Sequence, residues 1–131
     1  MSANQPRPWL DIAKEDLEVA RQVLREDHPA HACFLSQQCI EKSLKAFLIA
    51  RVRNYPRIHN LVDLLNQCIQ VDSRFDQFQD DCTRVDEYYI PTRYPPGLPG
   101  MAMNGMPDAE NAKEAIAAAD RILRFVEQQF P

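Results

Sequence analysis

The residues that interrupt regular structure are gathered in one stretch of this chain. All three glycines and five of the ten prolines lie between residues 88 and 107. Glycine and proline disfavour helices, so the rest of the chain is free to form long ones. No alternating pattern of useful length indicates a strand. We therefore predict an all-α protein, an antiparallel up-and-down bundle of about five helices with one long Pro/Gly-rich loop.

Outside that stretch, apolar residues recur every three or four positions, which is the spacing of one buried helix face. Residues typical of helix starts precede the runs, with proline in first turns and Asn60, Ser73 and Asp108 as the predicted N-caps. The predicted helices span residues 8–25, 29–53, 60–70, 73–89 and 108–129. The length of 131 residues suits a single domain, 1–131. Within it we expect a flexible tail at residues 1–7 and the long loop at residues 90–107.

The charge and the apolar content argue against several classes of protein. The net charge is −4 and the pI is about 5.3, whereas proteins that hold nucleic acid through non-specific phosphate contacts are usually basic. No apolar run approaches the roughly 20 residues that span a bilayer. The N-terminus, MSANQPRPW, lacks the apolar core of a signal peptide. We expect a cytoplasmic protein without membrane contact.

The cysteines fall inside predicted helices and form no CxxC pair. A disulfide framework requires a secreted chain, and zinc requires a ligand spacing that is absent here. We expect four buried free thiols, at Cys33, Cys39, Cys68 and Cys82. His28 and His31 lie three positions apart, but no third ligand is near them in sequence. We therefore predict no metal site and no cofactor.

A strip of polar residues at spacings of three and four follows one face of the second predicted helix. Its members are Gln38, Glu41, Lys42 and Lys45. Glu41 precedes Lys45 by one helical turn, the favourable order for an ion pair, so the simple interpretation is a surface salt bridge. The alternative is a site that binds an anion or a protein partner.

His59 is predicted to lie where a loop becomes the third helix, beside the capping residue Asn60. Free backbone N–H groups and the positive end of the helix dipole favour bound anions at such a position. His59 could contact a ligand or act as a general base, and its simpler role is to tie down the loop. We assign no catalytic residue, and His59 is the first choice if there is one.

The long loop is entered through Tyr88 and Tyr89 and carries Arg93 and Tyr94. Its prolines fix φ and should stiffen it, which lowers the cost of ordering Arg93 when a ligand binds. A guanidinium group offers a planar fork that suits phosphate or carboxylate. The alternative is that the prolines end the helix and that Arg93 caps its last carbonyl groups.

Four strings, in order along the chain, carry a resemblance to a known family. They are WLDIAKEDLEVA at 9–20, ACFLSQQCIEKSLKAFLIA at 32–50, HNLVDLL at 59–65 and DEYYIPTRYPPG at 86–97. The chain resembles the HEPN (higher eukaryotes and prokaryotes nucleotide-binding) domain family, and is most similar to its small stand-alone prokaryotic members. The resemblance covers nearly the whole chain, and its most specific strings are QQ-x-x-EK-x-LK and YYIPTRYP.

The resemblance implies a dimeric helical bundle that is paired with a small nucleotidyltransferase as toxin and antitoxin. Many members of the family are metal-independent ribonucleases, whose motif is an arginine, about four to six intervening residues and a histidine, near the start of a late helix. This chain departs from that motif because no histidine follows His59. Arg53 and His59 have the nominal spacing, but they lie in the loop after the second helix.

We therefore favour a homodimeric binding protein over an enzyme. Its ligand would be a nucleotide-like anion or RNA, its partner would be a nucleotidyltransferase-domain protein, and it could bind either or both. An arginine would contact phosphate and a tyrosine would stack on a base. The predicted ligand contacts are Arg93, Tyr94, Tyr89, Lys42, Lys45, Gln38, Glu41 and His59. One alternative is a metal-independent ribonuclease with a non-standard site, formed by His59 with Arg93 or Arg53. The other alternative is a structural module that serves only dimerisation.

Overall fold

The chain folds into a bundle of helices, as the distribution of glycine and proline predicted. The computed structural model describes residues 5–93 and 106–130, and within them it contains no strand. The helices are α1 (Pro6–Arg25), α2 (Pro29–Val52), α3 (Leu61–Val71), a 3₁₀ helix (Ser73–Phe78), α4 (Gln79–Arg93) and α5 (Ala109–Glu127). The predicted all-α class and the number of α-helices are confirmed.

The second helix is the centre of the bundle. It is the longest, at 24 residues, and it contacts α1, α3, α4 and α5. Its buried residues occupy most of its circumference, because neighbours cover it on several sides. Two of them are serines whose hydroxyls donate to the carbonyl one turn earlier: Ser36 to Ala32 and Ser43 to Cys39, each at 2.8 Å. These polar groups are therefore satisfied inside the helix that carries them.

The segment after α3 differs from its prediction, because residues 73–78 form a 3₁₀ helix in place of the first turns of α4. Side chains three apart in a 3₁₀ helix lie on one side, which brings Phe75 and Phe78 into the same cluster. The ring of Phe75 lies 4.4 Å from that of Phe47 in α2 and 5.0 Å from that of Phe125 in α5. Each such pair contributes about 0.5–1.5 kcal/mol beyond the burial of its surface.

Side-chain caps fix where the later helices begin. The predicted N-caps of α3 and α5 are confirmed: Asn60 accepts from the N–H three residues on, and Asp108 and Asn111 form a reciprocal capping box. The predicted cap at Ser73 is wrong by one residue. The carboxylate of Asp72 accepts from the N–H two residues on at 3.0 Å, and therefore starts the 3₁₀ helix.

Two helix ends lie beyond their predicted positions. The first helix begins at Pro6, so part of the predicted tail at residues 1–7 is helical. The fourth continues to Arg93, past the predicted end at Tyr89, so Pro91 lies inside it. Proline removes one N–H bond to the carbonyl four residues earlier, and α4 accommodates that loss in its last turn. Residues 90–93 of the predicted loop are therefore helical, and residues 94–105 lie outside the described part of the chain.

The four cysteines are buried free thiols, as predicted. Burial raises the pKa of each thiol, because the charged thiolate loses its hydration. The pKa of Cys33, Cys39 and Cys68 is raised to about 12, and that of Cys82 is raised as well. Thiols with such a pKa are poor nucleophiles at neutral pH, so these cysteines serve packing.

Within residues 5–93 and 106–130, no helix has both the length and the apolar content needed to cross a membrane.

Candidate functional site

The Glu41–Lys45 ion pair is buried, so its interpretation as a surface salt bridge is wrong. The residues are 5% and 3% exposed, and Lys45 Nζ lies 3.0 Å from Glu41 Oε2. The spacing of Glu41 and Lys45 along one helix predicted their pairing correctly. It could not predict their burial, because burial depends on which other elements pack over that face. Burial changes the energetics, because each charge has lost water and depends on its partner.

Two aromatic rings cover Lys45. Its Nζ lies 5.8 Å from the ring centroid of Trp9 in α1 and 5.5 Å from that of Tyr55 in the connection between α2 and α3. The two rings meet edge to face at 5.0 Å. Aromatic faces attract a cation, and these stand where water would otherwise be. Sequence reasoning missed Tyr55 and treated Trp9 only as part of an apolar stripe.

His59 is attached to the buried pair while most of its side chain remains in solvent. Its Nδ1 lies 3.2 Å from Glu41 Oε2, and 66% of the side chain is exposed. The backbone is held as well, because Gln37 Nε2 donates to the His59 carbonyl at 2.9 Å. A carboxylate at one ring nitrogen orients the imidazole and leaves the other nitrogen, Nε2, for a ligand.

A second branch of side chains continues from Gln37 toward α1. Gln38 Nε2 donates to Gln37 Oε1 at 2.7 Å, and Lys42 Nζ donates to Gln38 Oε1 at 2.9 Å. Lys42 Nζ also lies 3.6 Å from a carboxylate oxygen of Asp16, an ion pair longer than a hydrogen bond. We call the whole set the polar network: Asp16, Gln37, Gln38, Glu41, Lys42, Lys45 and His59.

The charges of the polar network balance. The carboxylates of Asp16 and Glu41 face the ammonium groups of Lys42 and Lys45. Burial raises the pKa of Asp16, while the neighbouring Lys42 ammonium acts in the opposite direction. The two lysines are therefore committed to carboxylates of their own chain. Protonated His59 is the one member whose charge would be additional.

The start of α3 already holds a carboxylate of the protein itself. Asp86 of α4 accepts from the N–H groups of Leu61 and Val62 at 3.0 and 3.1 Å. The side-chain oxygen of Asn60 accepts a hydrogen bond from the next N–H group, that of Asp63. The expectation of free N–H groups beside His59 is therefore wrong, because α4 packs across this helix end. Burial raises the pKa of Asp86, and the two N–H groups lower it by less.

The residues predicted at the end of α4 are only partly described. The ring of Tyr89 stacks on that of Phe34 in α2, with centroids 5.8 Å apart and planes 14° apart. Arg93 is the last residue of α4, and its side chain lies outside the description. Tyr94 also lies outside the described residues. The structure thus brings together Gln38, Glu41, Lys42, Lys45 and His59, and leaves the contribution of Arg93 and Tyr94 as a prediction.

Two carboxylate oxygens of the polar network are buried without a hydrogen bond from a described residue, and one of them, Asp16 Oδ2, lies 3.6 Å from Lys42 Nζ. Glu41 Oε1 is buried and receives no hydrogen bond from any described residue, whereas Oε2 faces both Lys45 and His59. Buried carboxylate oxygens usually have a donor, so this atom is an unused acceptor close to His59. In the described part of the chain, no three residues among histidine, cysteine, aspartate and glutamate are grouped so as to hold a metal ion.

Comparison with known proteins gives consistent matches over nearly the whole chain. The family model described as HEPN domain matches residues 7–129. A protein of Methanocaldococcus jannaschii named "Putative toxin MJ1304" is 27% identical over 127 residues, which cover 90% of this chain and 83% of that protein.

Solved structures match the fold as well. The crystal structure of TT1696 from Thermus thermophilus is 33% identical, with a TM-score of 0.79 over 97% of this chain and 99% of that one. The structure of ST0689, described as an archaeal HEPN homologue, is 31% identical, with a TM-score of 0.75 over 98% of each chain. This level of identity and coverage supports more than a shared architecture.

Proposed function

Because the chain belongs to the HEPN domain family, we propose that it is the binding protein of a toxin–antitoxin-type pair. Its ligand would be a nucleotide-like anion, a small nucleotidyltransferase, or both. The name of the relative from M. jannaschii, a putative toxin, supports the pairing. The polar network supports a ligand site on the side of α2 that faces α1 and the α2–α3 connection.

The observation that carries the proposal is the position of His59. Its backbone is held by Gln37 and its ring by Glu41, yet 66% of the side chain meets solvent. An exposed polar group that is already ordered loses little conformational entropy when a ligand binds. Protonated His59 would donate from Nε2 to a phosphate or carboxylate oxygen, while its Nδ1–H donates to Glu41.

The other predicted residues take two kinds of role in this proposal. The members of one group form hydrogen bonds and ion pairs with one another and with Asp16, and their role is to position His59: Lys42, Lys45, Gln38 and Glu41. Arg93, at the end of α4, is the proposed phosphate contact, since its guanidinium can bind two oxygens at once. Tyr94 or Tyr89 would stack on the base.

Calorimetry with a panel of nucleoside mono-, di- and triphosphates tests the nucleotide proposal. We expect binding by the wild type, a loss of about tenfold or more in Arg93→Ala and a smaller loss in His59→Ala. Lys113→Ala is the matched control, because Lys113 is an exposed cation of α5 whose ion-pair partner among the described residues is Glu110 alone. Absence of nucleotide binding by the wild type, with no nucleotidyltransferase co-purifying, would contradict the proposal.

Coexpression with a small nucleotidyltransferase encoded next to this gene tests the partner. We expect a complex that survives gel filtration, and a sedimentation mass of two copies for the chain alone. A monomer at high micromolar concentration would contradict the proposed homodimer. Intact binding of the partner by Arg93→Ala and Lys42→Ala variants with lowered Tm would favour the purely structural role of these residues.

A metal-independent ribonuclease is the second candidate, and the Glu41–His59 contact is the observation that favours it. A carboxylate that orients a histidine is a common arrangement for general bases. His59 Nε2 would take the proton of a ribose 2′-hydroxyl as that oxygen attacks phosphorus. The bond to the 5′-oxygen would break and that oxygen would take a proton from water, with Arg53 or Arg93 stabilising the phosphate charge. Cleavage abolished by His59→Ala, with an unchanged circular dichroism spectrum, would support it. Cleavage that His59→Ala leaves intact would exclude this site.

A further inference from the structure

Positive charge is concentrated in one segment of this acidic protein. No aspartate or glutamate occurs between Glu41 and Asp63, although the chain as a whole carries a net charge of −4. Lys42 and Lys45 in this segment are neutralised by carboxylates. The remaining cations are three exposed arginines at the end of α2 and in the connection to α3, which we call the basic end: Arg51, Arg53 and Arg57.

Two of the three arginines of the basic end have no acidic partner among the described residues, whereas the charge of Arg51 helps to lower the pKa of Asp72. Arg51 lies over the ring of Phe47, 5.4 Å from its centroid. Arg53 and Arg57 make no side-chain hydrogen bond and no ion pair with any residue that the structure describes. Elsewhere, Arg21, Arg84 and Arg121 each reach a carboxylate. The basic end therefore presents uncompensated charge to solvent.

Arg53 occupies a backbone position that favours glycine. Its φ is 61° and its ψ is 23°, and its N–H closes α2 on the carbonyl of Ile49 at 3.0 Å. Helices commonly end in this left-handed conformation, which glycine adopts without steric cost. An arginine here is disfavoured by the backbone alone. Binding of a ligand or partner by the guanidinium group would explain why an arginine occupies this position.

An apolar recess lies among these arginines. Its volume is about 150 Å³, and it is lined by Leu48, Val52, Asn54, Tyr55, Pro56 and Gln67. Val52 is 49% exposed, and Tyr55 is fixed by its contacts with Trp9 and Lys45. Every arginine of the basic end is next in sequence to a lining residue, and neighbouring Cα atoms are about 3.8 Å apart. The recess and the charges therefore form one surface.

We propose that the basic end and its recess bind a short acidic segment of a protein partner. An apolar side chain of that segment would enter the recess, and flanking carboxylates would pair with Arg53 and Arg57. This inference rests on the proposed pairing with a second protein and states the chemistry that the partner presents. An exposed apolar anchor with charges around it is the usual anatomy of a small interface.

A protein segment fits this surface better than a nucleic acid does. A bound strand requires a continuous positive path along its phosphates, and the net charge of −4 works against one. The basic end covers only the α2–α3 connection, which matches the reach of a few residues of extended peptide. Leu48, Val52, Pro56 and the ring of Tyr55 make the walls of the recess largely apolar, so they suit a leucine or phenylalanine side chain.

Fluorescence anisotropy with a labelled twelve-residue peptide of alternating glutamate and leucine tests the proposal. The double variant Arg53→Gly, Arg57→Ala removes two guanidinium groups, and glycine suits the backbone of position 53. The control, Arg121→Ala with Arg124→Ala, removes the same charge from α5. We expect the first variant to weaken binding about tenfold or more and the control to stay within about twofold. Val52→Asp should also weaken binding, because it places a like charge at the recess.

Four results would overturn the proposal, and the first three are no binding of the peptide, equal binding by both double variants, and equal binding of a peptide with glutamine in place of glutamate. The fourth is tighter binding of a twelve-residue oligothymidylate than of the peptide, with the same loss of affinity in the Arg53 and Arg57 variant. That result would assign the surface to nucleic acid. Nucleotide calorimetry with Arg93→Ala is independent of all these outcomes. Failure here therefore leaves the nucleotide proposal standing, and the reverse holds as well.

Discussion

Two regions of this molecule are built from the same kinds of charged residues with opposite results. In the polar network, Trp9 and Tyr55 cover Lys45, and the Glu41–Lys45 pair is almost inaccessible to solvent. The other region is an exposed set of ion pairs that joins α5 to α1 and α4. We call it the charge ladder: Lys14–Glu127, Arg21–Asp120, Arg124–Asp120, Arg121–Asp81 and Arg84–Glu114.

The difference shows that distance alone does not decide what an ion pair does. Lys14 lies 2.8 Å from Glu127, closer than Lys45 lies to Glu41, yet water competes for the exposed pair. Exposed pairs contribute about 0–1 kcal/mol, and salt weakens them further. A buried pair is costly to form and costlier to break, so its members can hold a third group such as His59 in place.

Removing one member of the buried pair should have the largest effect. Glu41→Ala leaves the Lys45 ammonium buried without a carboxylate, and we expect a loss of about 3–5 kcal/mol in the free energy of unfolding. Urea denaturation of the variant and the wild type measures it. Glu127→Ala in the charge ladder is the control, with an expected loss below about 1 kcal/mol. Equal losses would show that burial does not distinguish the two regions.

Substitution of Asp86 should have the second-largest effect on stability, because this residue connects α4 to the start of α3. Asp86→Ala removes the acceptor of two backbone N–H groups, and we expect a loss of about 2 kcal/mol. Asp86→Asn keeps one acceptor oxygen and should lose less. Urea denaturation with amide exchange at Leu61 and Val62 provides the measurement. Unchanged protection of these amides in Asp86→Ala would contradict the assigned bonds.

The contribution of Asp16 to the free energy of unfolding should depend on pH. Its folded pKa is raised above 3.8 by burial, so the protonated form favours folding. Its contribution is fully present below pH 3.8 and is lost as the pH rises through the folded pKa. We expect Asp16→Asn to gain stability relative to the wild type between about pH 3 and pH 7. A stability difference that stays constant over that range, measured by urea denaturation, would refute the assignment.

The charge ladder itself should show the smallest effect. Arg121→Ala breaks a 2.7 Å contact with Asp81, and we expect a loss of about 0.2–1 kcal/mol. A double-mutant cycle with Asp81→Ala isolates the pair, and about 1 M NaCl should remove most of its coupling. A coupling above about 2 kcal/mol that resists salt would place this pair in the same energetic class as Glu41 and Lys45.

The sequence allowed most of the fold to be predicted, because helices depend on local spacing. Apolar residues every three or four positions predicted five α-helices, and Asn60 and Asp108 predicted two of their starts correctly. The strings at residues 9–20, 32–50, 59–65 and 86–97 predicted the HEPN family, which the family model confirms. The 3₁₀ helix at residues 73–78 was missed, because the seam of Phe75 and Phe78 is spaced alike in both helix types.

Only the tertiary structure decided what the polar residues of α2 do. Glu41 and Lys45 have the same spacing in a surface helix and in a buried one, and the burial comes from Trp9 and Tyr55. These residues are distant in sequence, so no local pattern connects them to Lys45. The N–H groups beside His59 likewise looked free until α4 placed Asp86 against them. Periodicity fixes which residues share a face, but desolvation and pairing depend on what packs against that face.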